Sequence, residues 1–243
     1  MTRVLVPLAI LEGESASAGL TTLLEPMNVT VLGYHELPEQ TPPDQARLQY
    51  EERATDALEG LATEFGAADG TADYRLVFTH DRTQTFDRVA AETKADVYAI
   101  PGTAAPIDRL LVALTGDVAV ERIVSFVGEL VCDRDIGVTL FLATDDESAG
   151  RELLDTAALP LAGRGIDVRT ELAVDELPLE ALVDAAVGHG AIVVGERAPS
   201  LRTLVFGEEA ERIAAESVGP VLVVRHVEEG AGANGNRTRS DDS

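Results

Sequence analysis

The chain has 243 residues, 45% hydrophobic but only 4% aromatic, and its 43 acidic and 19 basic residues leave a net charge of −24. That length accommodates two domains of roughly 100–120 residues, with cores built from Val, Leu, Ile and Ala. Such an acidic surface excludes nucleic acid and anionic lipid as partners, because it repels both.

The acids are spread along the whole sequence, and Lys94 is the only lysine. The charge is therefore a property of the surface and not of a tail, and it points to adaptation to high salt, where repulsion is screened within about 3 Å at 1 M. Cys132 stands alone, so no disulfide can close within the chain. No apolar run approaches the roughly 20 residues of a membrane span. The opening MTRVLVPLAI reads as a strand and not as a signal peptide. A cytoplasmic location is expected.

In chain order, strand Val4–Ile10 precedes a helix around Ser15–Glu25, and strand Val29–His35 follows. A long polar helix over Asp44–Phe65 carries Leu48, Ala54, Leu58 and Leu61 as its apolar stripe. It is flanked by the Gln40–Pro43 turn and the Phe65–Thr71 stretch, and it offers either a partner-binding face or further solvated surface. Strand Tyr74–Thr79, helix Thr85–Thr93 and strand Val97–Ile100 complete this part. Next come strand Leu110–Leu114, helix Val118–Cys132, strand Val138–Ala143, helix Ser148–Leu161, strand Val168–Val174 and helix Leu179–Val187. Strand Ile192–Gly195, helix Phe206–Glu216 and strand Val221–Arg225 close the series. Cys132 is placed on the apolar face of its helix, and His189 and His226 on the surface.

The sequence resembles itself. Arg3–Leu8 aligns with Arg109–Leu114, Val29–Leu32 with Val138–Phe141, and Thr85–Pro101 with Leu179–Gly195. The offsets are 106, 109 and 94, the last reduced by the longer second helix of the first copy. The strands are short continuous apolar runs, as in parallel strands covered on both faces. Strand–helix alternation then gives an α/β, Rossmann-like, doubly wound fold, present twice in tandem. PGTAAPIDR, between Ile100 and Leu110, is too short for a parallel crossover, so Leu110 is expected to begin a new sheet. The expected domains are 1–106, lacking a fifth strand, and 107–227, with a disordered tail over 228–243.

Ligands in such sheets bind beyond the carboxyl ends of the strands, at the switch point. In the second copy that places Thr115-Gly116-Asp117 opposite the loop that starts at Gly195. The segment IVVGERAPSLRTLVFGEEAERIAAESVGPVLVVR resembles the closing segment of universal stress proteins. The resemblance covers about Asp108–His226, and more weakly the first copy to about Pro101. Nucleotide-binding members of that family carry Gly, two residues, Gly, nine residues, then Gly with Ser or Thr. Gly195 matches the first glycine, Ala198 stands at the second, Gly207 follows after eight residues, and Glu208 replaces the hydroxyl residue.

Glycine lets backbone N–H groups close on a phosphate, whereas alanine crowds it. A carboxylate at a helix start takes the phosphate's place itself. The loop thus reads as a degraded nucleotide site: a self-capped helix on a scaffold, an ATP site, or a site for another anion drawn by Arg197 and Arg202. No nucleotide is expected in the first copy, and no cofactor is assigned.

His35-Glu36 and His80-Asp81 end neighbouring strands, where they either hold a divalent metal or simply terminate buried strands. Neither is assigned as a ligand, and no G-x-S-x-G elbow marks a hydrolase. The resemblance implies a non-catalytic protein of stress response or regulation that acts through protein partners. Such domains are also appended to transporters, so a transporter or regulator is a candidate partner. The family pairs subunits through the fifth strand. Val221–Arg225 is therefore expected to be an open edge through which two chains associate.

Overall fold

The computed structural model describes residues 2–66, 71–102, 107–116, 118–196 and 219–226. These form an α/β structure of nine strands and six α-helices among the described residues. In order they are β1 (Arg3–Ala9), α1 (Ala18–Leu24), β2 (Asn28–Glu36), α2 (Pro43–Phe65), β3 (Ala72–Thr79), α3 (Arg82–Thr93) and β4 (Val97–Ile100). Then follow β5 (Arg109–Ala113), α4 (Val120–Leu130), β6 (Gly137–Thr144), α5 (Glu147–Ala162), β7 (Val168–Val174), α6 (Pro178–Ala185), β8 (Ala191–Gly195) and β9 (Val221–Val224). A short 3-10 turn, Ile10–Glu12, follows β1. The expected helix Phe206–Glu216, most of the 103–107 linker and the tail lie outside the described residues.

All nine strands belong to one sheet, ordered β3-β2-β1-β4-β9-β8-β5-β6-β7. Every pairing is parallel except β4–β9, which is antiparallel, with Tyr98 opposite Val223. Two expectations fail here. Leu110 does not begin a separate sheet, because β9 and β8 lie between β4 and β5 and join the halves. β5 runs antiparallel to β4, so its start lies on the sheet edge where β4 ends. The eight connecting residues need no crossover; they reach at most about 26 Å extended and must pass three strand spacings, about 14 Å. Nor is Val221–Arg225 an open edge, since β9 is paired on both sides.

The aligned stretches of sequence occupy equivalent ladder positions. Val4 pairs with Val29 and Val97, and Leu110 pairs with Val138 and Ala191. Alternate side chains of each strand enter two cores. One packs under α1, α2, α4 and α5, and includes Val4, Val6, Leu110 and Val112. The other packs under α3 and α6, and includes Leu5, Leu111 and Tyr98. Continuous apolar runs such as β1 follow from this double coverage.

Local departures have local causes. In α2 the buried residues are Ala46, Ala54, Leu58, Leu61 and Phe65, while Leu48 is 90% exposed. It stands two positions from Ala46 and so faces away from the stripe. Cys132 is exposed, not core, because α4 ends at Leu130 and the chain turns through Asp133 at φ 56°.

The seam between the halves is polar as well as apolar. Arg225 donates from its backbone to the Asp96 carbonyl and from its side chain to the Ala95 carbonyl, both at 2.9 Å, and its guanidinium covers the Tyr98 ring. Arg134 donates to the Thr22 and Leu23 carbonyls at 2.7 and 2.8 Å, where a cation complements the end of α1. Arg122 meets Asp96 at 2.8 Å.

Candidate functional site

The switch point of the second half lies between the carboxyl ends of β5 and β8. Extending their register brings Leu114 level with Gly195, so Thr115 and Gly116 sit beside Gly195, as the sequence suggests. Thr115 is buried and its hydroxyl oxygen accepts the Ala143 N–H at 2.8 Å, which ties the loop after β5 to the end of β6. Gly116 turns the chain at φ 90°, a left-handed conformation that favours glycine. Val118 then donates to the Gly116 carbonyl at 3.0 Å and α4 begins at Val120, with no side-chain cap at Ala119.

Gly195 has a packing role of its own. A Cβ there would lie 2.6 Å from Val118 Cγ1, so the glycine lets the loop before α4 close over β8. The next residue, Glu196, donates its N–H to the Val224 carbonyl at 2.8 Å, and its carboxylate accepts the His226 N–H at 2.7 Å. Sequence reasoning passed over Glu196; its signal was a carboxylate just past the strand. Asp117, Arg197, Ala198, Gly207, Glu208 and Arg202 lie outside the described residues.

In the first half the chain turns back on the end of β1. The Glu14 carboxylate accepts the Ala9 N–H at 2.6 Å, and the 3-10 turn folds Ile10 into the core behind it. Gly13, at φ 82°, makes this return possible. The signal was Gly13-Glu14 directly after the strand, just before the expected helix start at Ser15.

The histidine pair does not form a centre. β2 and β3 are neighbours, with His35 level with Phe78, and the His35 ring lies edge-on to Tyr50 and Phe78. His80 Nδ1 lies 3.1 Å from the Leu37 carbonyl, and Asp81 caps α3 by accepting the Gln84 N–H at 2.9 Å. Among the described residues no group of three or more His, Cys, Asp or Glu side chains is placed to hold a metal ion. His226 is exposed, but His189 is not a plain surface residue: it is half-buried, with Nε2 2.9 Å from Thr139 Oγ1.

Near the seam, the buried Tyr98 hydroxyl donates to Asp87 at 3.0 Å. Burial raises the pKa of this phenol most; Arg225 pulls it down, and Asp87 and Glu196 push it up. No described helix is long and apolar enough to cross a membrane.

No protein-family model matches the sequence, and no curated protein matches it. Solved structures do match. A universal stress protein from Archaeoglobus fulgidus DSM 4304 aligns over 94% of this chain and 97% of its own, at 17% identity and a TM-score of 0.63. The cytoplasmic domain of a prokaryotic cation chloride cotransporter aligns over 91% and 94%, at 10% identity and a TM-score of 0.51. The fold of this chain is thus a nine-stranded, universal-stress-protein-like α/β fold.

Proposed function

We propose that the chain is a non-catalytic protein of the universal stress type, built from two copies of one unit that meet near residue 106, and that it acts in regulation or stress response by holding a protein partner. One observation carries this reading: among the described residues, the side chains of Glu14, Thr115 and Glu196, just past the strand ends, are each taken up by the chain's own backbone N–H groups. Glu14 accepts the Ala9 N–H in the first half; in the second, Thr115 accepts the Ala143 N–H and Glu196 accepts the His226 N–H. Side chains engaged in this way have little left to offer a substrate. The likeness to a cotransporter's cytoplasmic domain favours a transporter or its regulator as the partner, met from the cytoplasm. The net charge of −24 suits a salt-rich cell interior.

A second reading, a nucleotide sensor with weak or no hydrolysis, is favoured by one observation: α4 starts beside Gly116 and Gly195 without a side-chain cap, leaving backbone N–H groups to meet an anion. Calorimetric titration of ATP into the whole chain in about molar KCl, where surface charge is screened, separates the two. The scaffold reading expects no heat of binding. Micromolar affinity would replace it with the sensor.

A further inference from the structure

The α4–α5 face carries a solvent-open trough of about 430 Å³, with a lining unlike that of either switch point. Its floor is aliphatic: Val120 and Val124 from α4, and Ala149, Leu153, Ala157 and Pro160 from α5. Val120, Val124 and Gly128 form one row of α4, four residues apart. Beyond the trough, the Arg164 guanidinium lies against Gly128. Along α5 the floor runs from Ala149 to Pro160, about 16 Å, or three helical turns. Leu159, 71% exposed, adds apolar surface beside it.

The walls carry charge of one sign. Glu121 stands on the α4 side and Glu152 on the α5 side, and neither carboxylate has an ion-pair partner among the described residues. An apolar strip between two carboxylates fits a guest that is apolar on one face and cationic on its flanks. A second copy of this chain, with its own charge of −24, does not fit, and neither does nucleic acid or an anionic membrane. A small ligand prefers an enclosed cavity to an open trough. Three turns of groove between two helices match the apolar face of a third helix.

We infer that the α4–α5 trough is a docking site for a basic amphipathic helix of a partner protein, with its apolar face on Val120 and Leu153 and its Lys or Arg residues on Glu121 and Glu152. This inference rests on the partner-holding reading above and names its surface.

The test uses the whole chain and a labelled model peptide of about 14 residues, Leu on one helical face and Lys on the flanks, read by fluorescence anisotropy. Three controls are run: the same peptide scrambled, a twin with Glu for Lys, and a protein with two remote acids reversed, Asp56→Lys with Glu64→Lys on α2. The amphipathic basic peptide is expected to bind best, and Glu121→Lys with Glu152→Lys to weaken it by about tenfold, while the α2 pair does so much less. All four of these charge reversals are on exposed side chains, so the fold is kept. An apolar-floor variant at a partly exposed position, Leu153→Gln, is expected to weaken binding as well. Equal binding of the scrambled peptide, equal effects of the two reversal pairs, preference for the acidic twin, or self-association through this face would each overturn the inference. ATP binding at micromolar affinity would instead overturn the scaffold reading, so the two failures are told apart.

Discussion

Single atoms decide what the second-half switch point can do. Thr115 is the clearest case, because its hydroxyl oxygen is the acceptor for a buried backbone N–H at Ala143. Valine keeps the shape and removes the acceptor. We expect Thr115→Val to cost about 1–3 kcal/mol, the penalty of an orphaned buried donor, and Thr115→Ser to recover most of it. Thermal unfolding checks this, since 1 kcal/mol corresponds to roughly 2–4 °C in a chain of this size. Gly195 carries a related lesson. Its identity was legible in the sequence as the first glycine of a phosphate loop, yet the described contacts give it a steric reason, the closeness of Val118. Residue types alone do not separate these two causes, because both ask for the absence of a Cβ. Glu14 shows the converse: Gly13 marks a turn after the strand, but residue types do not say that the carboxylate will bend back onto Ala9.

Among the elements, those with strong local signals were legible. β4 and β7 fall on the expected residues, Val97–Ile100 and Val168–Val174. α2 was legible as a helix and, through Ala54, Leu58 and Leu61, in its buried stripe; only Leu48 was misplaced, since Ala46 and not Leu48 begins that stripe. The partner of β9 was not legible at all. Antiparallel pairing between residues more than 120 apart, such as Ile100 and Val221, leaves no local period to read. β4 also bears a titratable group whose behaviour follows from its burial. A phenol whose pKa rises on folding favours the folded state while it is neutral. That contribution is complete below the unfolded value of 10.0 and is lost as pH rises above it towards the higher folded value. Urea unfolding of the native chain is therefore expected to show stability falling as pH passes about 10, and Tyr98→Phe to flatten that slope. An identical slope in the variant would mean that other groups, or net charge alone, govern the alkaline limit.

Across the whole molecule, charge is the strongest influence. A net charge of −24 on one continuous sheet repels itself at low ionic strength. We expect the midpoint of thermal unfolding to rise as KCl goes from about 0.1 M to about 2 M, where the screening length falls from roughly 10 Å to below 3 Å. A flat response would remove salt adaptation from the reading of this surface. The sheet itself sets a further condition on how the chain is made. β9, the ninth strand in sequence, is the fifth in space, between β4 and β8. During synthesis the N-terminal half emerges first, and until β9 arrives β4 presents Val97, Tyr98, Ala99 and Ile100 as an unpaired row. The chain therefore closes its sheet at the middle in space and at the end in time, and until β9 is seated it holds two half-sheets, β3-β2-β1-β4 and β8-β5-β6-β7, each with a bare inner strand of its own.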